Sequence, residues 1–465
     1  MTRGYQLIVE VDVYICAAGI NCGTRGRILF DNTSGRFVCV HGCFFIYLHQ
    51  NQLTFVRFAL YLPVRITMSV KSRLPEFLEK CERERDRAVD FWLQNSHDTE
   101  HGGFFVCLDR DGKVYDDTKY CWLQGRQVWM YCRLYNEVEK YHRQDVLQAA
   151  IAGGEFLMKH VRDPTTMKCS FAVTRDGRTV KVQRQPFSEV FYFLGLSELY
   201  RATGEAKYRE EALKMMDQLV HWMTVDDSGL GRPKWPGAPD TDNMAVPMML
   251  MCMIDQLEMM DSTLTDKYAG LAERCVEQLL LHIQRDGTVI LEQVSPDGQE
   301  LPGSLGRLQN PGHAIECSWF LLQYAVKHNR PDLKKTAINN FLLQPFESGW
   351  DDKHGGLFYF LDVDGYSPTQ LEWNMKLWWP HNEALIAFLV AYKETKDEQM
   401  LEKFAKVFDY SFSHFVDPDH GEWYGYLSQQ GEVTQRFKGG PFKGCFHVPR
   451  CLHMCTQILR ELVTT

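Results

Sequence analysis

From Met68 onward, stretches with apolar residues at helical spacing alternate with short aromatic runs closed by glycine turns. The first helical stretch, MSVKSRLPEFLEKCERERDRAVDFWL, is plainly amphipathic. Three later segments repeat one design: HDTEHGGFFVCLDRDG (97–112), WDDKHGGLFYFLDVDG (350–365) and DPDHGEWYGYLSQQG (417–431). Each reads as a turn, a short strand, then a D-G or Q-G turn, which is hairpin chemistry. A lysine follows each, with an aromatic three residues on: Lys119 and Trp122, Lys376 and Trp379, Lys443 and Phe446. A helix then opens. Weaker copies at CSFAVTRDGRTVKV (169–182), GLGRPKWPGAPD (229–240) and QRDGTVILEQVSPDGQE (284–300) complete the set, with helix openings near 123, 187, 245, 312, 380 and 446.

Each opening helix leads through a Gly- or Pro-marked break, such as ATGEA (202–206) or HNRPD (328–332), into a second helix. The pattern predicts pairs at 122–140 with 145–161, 186–203 with 206–224, 244–260 with 266–285, 312–328 with 331–345, and 380–395 with 398–416. The last helix, 447–463, has no partner after it, and the first, 72–95, has none before it. Pairing these two closes a ring. An open solenoid would carry polar capping repeats; these terminal helices are amphipathic like the rest. The expected fold is all-α: an (α/α)6 barrel, a six-hairpin toroid, over residues 68–465, with short β-hairpins at one rim. Residues 1–67 lack the repeat and read as strand-like or irregular. They are expected to be an N-terminal extension of doubtful folding, with the functional chain starting near Met68.

Composition narrows the class. A net charge of −9 excludes the basic face of a nucleic-acid binder. No apolar run reaches the ~20 residues that span a bilayer, and LTFVRFALYLPV (53–64) is short and holds Arg57. Fifteen cysteines without a C-x-x-C pair point to reduced, buried thiols in a cytoplasmic protein. P-loop, G-x-S-x-G and H-E-x-x-H signatures are absent. Eleven tryptophans fit a crowded core or a sugar-stacking pocket.

The repeat also aligns polar residues at the helix openings. KLWWPHNEA (376–384) puts His381 and Glu383 in a first turn. The equivalent positions hold Gln124, Arg126 and Gln127 in unit one, Ser188 and Glu189 in unit two, His313 and Glu316 in unit four, and His447 and Arg450 in unit six. Unit three offers only Met244-Ala245-Val246-Pro247. Any one of these has an ordinary structural explanation; Ser188 or Glu189 can simply cap a helix. Three histidines in consecutive units, with a Glu and an Arg in register, do not reduce to that. Helix N-termini add free N–H groups and positive dipole ends, so the rim suits negative charge developing in a transition state. Glu189, Glu316 and Glu383 keep glycoside hydrolysis open. Imidazoles that titrate near neutrality suit proton removal and return better. In CFHVPRCLHMC (445–455), Cys451 and Cys455 share a helix face while His453 points elsewhere, so no metal is expected.

Four segments, KYCWLQGRQVWMYCRLY (119–135), QNPGHAIE (309–316), LEWNMKLWWPHNEA (371–384) and KGGPFKGCFHVPRC (438–451), resemble the N-acylglucosamine 2-epimerase family, also called renin-binding proteins. The likeness runs from about residue 70 to the end. It implies an (α/α)6 barrel and a homodimer. It implies interconversion of N-acetylglucosamine and N-acetylmannosamine, which feeds or drains sialic-acid metabolism. It further implies activation by ATP or another nucleotide that is not consumed, and renin as a protein partner. The essential positions it implies are Arg126, His313, Glu383 and His447, with Cys445 as a thiol needed by animal members. On this reading one imidazole removes the C2 proton of the open-chain sugar and a second returns one on the opposite face, with His313 and His447 as the pair. Arg126 holds the oxyanion at O1. Glu383 orients or charge-tunes a histidine, and His381 supports that network. Trp122, Trp378 and Trp379 line the pocket or stack on the sugar, and Gln127 and Glu316 contact it. Cys445 is a base or, fitting better, a packing residue or a thiol whose modification blocks the mouth. The rival readings are a hydrolase or an aldose–ketose isomerase on the same barrel, and a renin-binding protein without catalysis.

Overall fold

The computed structural model describes the strands Ile8–Ala17, Ile20–Asp31 and Arg36–Val40, and residues 69–182, 185–231 and 236–464. It divides into two compact units, residues 1–66 and 67–465. In the first, the three strands pair antiparallel in chain order. Met68, the expected start of the functional chain, and residues 232–235 of the third repeat lie outside the described residues.

The second unit is a ring of helical hairpins. Its helices are α1 (Leu74–Asn95), α2 (Cys121–Glu137), α3 (Gln144–Phe156), α4 (Phe187–Thr203), α5 (Ala206–Thr224), α6 (Ala245–Met260), α7 (Thr265–Leu281), α8 (Pro311–Lys327), α9 (Pro331–Thr336), α10 (Gln344–Gly349), α11 (Trp378–Thr395), α12 (Glu398–His414) and α13 (His447–Thr464). The wider turn Ala337–Leu343 joins α9 and α10 into one rod. The hairpins are α2–α3, α4–α5, α6–α7, α8 with the α9–α10 rod, and α11–α12. The sixth pairs α13 with α1, the two ends of the repeat, as the sequence predicts.

Two kinds of helix build two layers. Inner helices are buried nearly all round: α11 is covered without interruption from Trp378 to Tyr392, and α4 from Ser188 to Leu199. Outer helices bury one stripe, as α12 does with Met400, Leu401, Phe404, Ala405 and Phe408. The inner layer runs α2, α4, α6, α8, α11, α13. It closes where His453 of α13 meets Glu137 of α2 at 2.8 Å and Phe446 packs on Trp129. Glycine sets the closest crossing: a Cβ on Gly125 of α2 would lie 2.2 Å from the Phe191 carbonyl oxygen of α4.

The hairpins staple this ring at one rim. The segment leading into an opening helix pairs with the hairpin of a neighbouring unit: Lys119–Tyr120 with Ala172–Val173, Asp242–Asn243 with Gln293–Val294, Leu308–Gln309 with Leu361–Asp362, and Lys376–Leu377 with Tyr426–Leu427. The last lead-in returns to the first hairpin, where the Lys438 and Gly439 N–H groups donate to the Leu108 carbonyl. The repeated lysines are buried pins. Lys119 Nζ lies 2.9 Å from Asp98, Lys376 Nζ 2.9 Å from Asp351, and Lys443 Nζ 2.7 Å from Glu422. Each ties the lead-in of a helix to the turn of its own hairpin.

Candidate active site

The first turns of all six inner helices meet around a cavity of about 570 Å³. Inward-facing residues descend each helix at three- and four-residue spacing: Trp122 and Arg126 on α2, Phe187 and Phe191 on α4, His313, Glu316 and Phe320 on α8. Ala245, Met248, Met249 and Cys252 come from α6, Trp378 and Trp379 from α11, and His447 and Arg450 from α13. Tyr359, Glu372 and Tyr426 come from the hairpin rim.

Two histidines face this space, each backed by a carboxylate. Asn310 caps α8 by accepting from the His313 backbone N–H, which fixes His313 in the first turn. His313 Nδ1 lies 2.9 Å from Glu292 Oε1. His447 Nδ1 lies 2.8 Å from Glu383 Oε1. A carboxylate can only accept, so Nδ1–H donates in both pairs and Nε2 is left for chemistry. Trp379 neighbours both imidazoles, its ring centroid 5.2 Å from that of His313 and 6.0 Å from that of His447. The two rings are therefore no farther apart than the sum of those distances, close enough to flank one small molecule.

Their electrostatics differ. Burial opposes the charged form of His313, but the Glu292 carboxylate, with smaller help from Glu316 and Glu383, raises the pKa above the ordinary imidazole value. Burial, helped by the positive charge of Arg126 and Arg450, pushes His447 down to about 3, so it is neutral. Glu383 is also buried, yet Arg450 and the His447 hydrogen bond hold it at about 2. Arg450 bonds to Glu383 directly, so this arginine, rather than a protonated His447, balances the carboxylate. Trp319 Nε1 donates to the second Glu383 oxygen at 3.2 Å. Burial and the nearby Glu383 raise Glu316 to about 7, which gives it a proton to donate near neutrality. Arg126 makes no ion pair among the described residues. Its guanidinium lies over the rings of Phe191, Trp122 and Phe446 at 4.1, 4.7 and 5.0 Å, and burial lowers it to about 9.

Among the residues named from sequence, His313, His447, Arg126, Glu316, Trp122, Trp378 and Trp379 line the cavity. Glu383 stands behind His447, bonded to its Nδ1–H. Two expectations, Gln127 and His381, need correction, and for Cys445 the packing alternative fits. Gln127 is fully buried one position past Arg126, and its amide N–H donates to Ser96 Oγ and Tyr131 OH on the outer side of α2. His381 is fully buried with both ring nitrogens used: Nδ1–H donates to the Leu377 carbonyl and Nε2 accepts from Leu357 N–H. It stacks on Tyr410, and burial lowers it to about 3. Cys445 is fully buried outside the cavity wall, and burial raises its thiol well above the ordinary value, so it does not stand at the mouth. Gln124 bonds to the Phe104 backbone, and Glu189 accepts from Cys169 N–H; both are structural.

Glu292, Cys252 and Tyr359 escaped the sequence reading. Glu292 lies beside the hairpin strand Gln293–Val294 rather than on an inner helix, so helical register cannot find it. Its signal is a lone carboxylate in the apolar run VILEQV, where a buried charge needs a partner.

A family model for N-acylglucosamine 2-epimerase (GlcNAc 2-epimerase) matches residues 103–451. The chain is 58% identical over 394 residues to the N-acylglucosamine 2-epimerase of Mus musculus, covering 84% of this chain and 94% of that protein. It is 55% identical over 405 residues to the enzyme of that name in Homo sapiens, covering 87% and 95%. Its structure matches the cellobiose 2-epimerase of Spirochaeta thermophila with a TM-score of 0.71 over 85% of this chain and all of that one; at 18% identity, the likeness is one of fold.

Proposed function

The chain belongs to the N-acylglucosamine 2-epimerase family, and from that premise we propose that it interconverts N-acetyl-D-glucosamine and N-acetyl-D-mannosamine by moving a proton at C2. The observation that carries this reading is the pair of carboxylate-backed imidazoles that share Trp379 as a neighbour in one cavity.

The sugar first opens to its aldehyde, which makes the C2 hydrogen acidic. Neutral His447 takes that proton at Nε2; the C–H electron pair becomes a C1=C2 double bond as the carbonyl π pair moves onto O1, leaving an enolate. Arg126, which has no carboxylate partner among the described residues, supplies the positive charge that anion needs. His313, which Glu292 favours in its protonated form, returns a proton to the other face of C2, and the configuration inverts. The opposite epimer enters with the two roles exchanged. Glu383 and Glu292 position the imidazoles and set their charge. Glu316 holds a sugar hydroxyl. No hydride leaves the substrate, so a redox cofactor has no step to perform.

The same reading carries a homodimer, a cytoplasmic place in sialic-acid metabolism, renin as a partner and an unconsumed nucleotide activator. The cavity does not suit the nucleotide: among the described residues its one guanidinium without a carboxylate is Arg126, too little charge for a triphosphate. No step is routed through it. Among the described residues, no helix is long and apolar enough to cross a membrane.

Incubation with N-acetylglucosamine, followed by chromatography of the sugars, tests the proposal. N-acetylmannosamine is the expected product. A ketose would favour the isomerase reading, cleavage of a glycoside the hydrolase, and an inert protein that binds renin the non-catalytic role.

A further inference from the structure

The inner helices α2, α8 and α13 turn charged or titratable side chains into the cavity, while α4 turns only Phe187 and Phe191. Beside it α6 presents Ala245, Met248, Met249 and Cys252, flanked by Phe191 of α4 and Phe320 of α8. A monosaccharide bristling with hydroxyls has little use for such a wall. Its one apolar substituent is the alkyl end of the acyl group on N2. That group hangs from C2, the carbon gripped by His313 and His447, next to C1, whose oxygen meets Arg126. The Arg126 guanidinium lies 4.1 Å over the Phe191 ring, and Phe191 is the edge of the apolar wall. A sugar held at C1 and C2 by these groups therefore points its acyl chain along α6.

Resting on the proposed activity, we infer that Met248 and Met249, backed by Phe191 and Phe320, form the subsite that receives the N-acyl group and selects for its length. Burial of the alkyl end on methionine supplies the discrimination against a sugar bearing a plain 2-hydroxyl, which would leave this wall dry and unfilled. Methionine is unbranched and adapts its rotamers, so the subsite takes acyl groups somewhat longer than acetyl.

The test uses N-acetyl- and N-butanoylglucosaminitol, reduced sugars that cannot epimerise, with their Kd values measured by calorimetry on the full chain. Their ratio is independent of the folded fraction and of turnover. In Met248→Ala/Met249→Ala the ratio is expected to move toward the butanoyl compound by about tenfold, the order of discrimination one or two methylenes give in an apolar pocket. In Met249→Phe it is expected to move the other way. A ratio that stays within twofold of wild type in both variants overturns the assignment. Turnover of N-acetylglucosamine by the same wild-type preparation reports separately on the epimerase reading.

Discussion

At the level of single side chains, the charge on His313 hangs on Glu292. Removing the carboxylate in Glu292→Gln leaves the burial that opposes protonation and takes away the attraction that overcomes it. His313 then gives up its proton at lower pH. Turnover needs one neutral and one protonated imidazole, so the alkaline limb of kcat/KM is expected to move down by about one pH unit or more in a pH–rate profile. An unmoved limb contradicts the assigned role. His381→Ala is expected to behave differently. It removes a ring that satisfies the Leu377 carbonyl and the Leu357 N–H, so urea melts are expected to show a loss of about 1–3 kcal/mol, while kcat per folded molecule is kept. Register along the chain finds the helix openings but not the face. His381 lies two residues past Trp379, about 200° round the helix, and so turns outward onto Tyr410. That is why sequence brought Arg126, His313, Glu316 and His447 together correctly and placed His381 and Gln127 among them in error.

At the level of elements, the hairpins and their lysines hold the helix openings in place. Lys376 and Asp351 are both buried, and the pair joins the lead-in of α11 to the turn at Gly355 and Gly356, where φ values of +75° and +79° call for glycine. Asp351→Ala strands a buried ammonium, and its cost in chemical denaturation is expected to be about 3–5 kcal/mol. The double variant Lys376→Met/Asp351→Leu is expected to recover most of that loss, because two apolar groups of similar size leave no charge unpaired. A double variant as unstable as the single one contradicts the pin. The lysine-to-aromatic spacing was plain in the sequence. The carboxylate partners were not, because they sit some 20 residues upstream with nothing local to mark them as buried.

At the level of the whole molecule, the repeat length and the amphipathic first and last helices were enough to read a closed ring, and the helix boundaries fall within a few residues of those predicted. Glu292 and the Met248–Met249 wall were not legible as site residues, because one lies off the helices and the other looks like ordinary core. A chain beginning at Met68 is expected to keep full turnover, since every described residue that lines the cavity belongs to the second unit; loss of activity on purified, folded protein would contradict that. Ring closure matters because it brings two imidazoles from distant units to one cavity, where the proposed mechanism needs them on opposite faces of C2. The most direct measurement is C2 hydrogen exchange in D2O with His313→Ala and His447→Ala, each supplied separately with N-acetylglucosamine and N-acetylmannosamine. Each variant is expected to lose epimerisation by about 10²–10⁴-fold yet still wash deuterium into one epimer, and the two variants into opposite ones. Exchange surviving on the same epimer in both variants would place the two histidines on one face of the sugar and contradict the account.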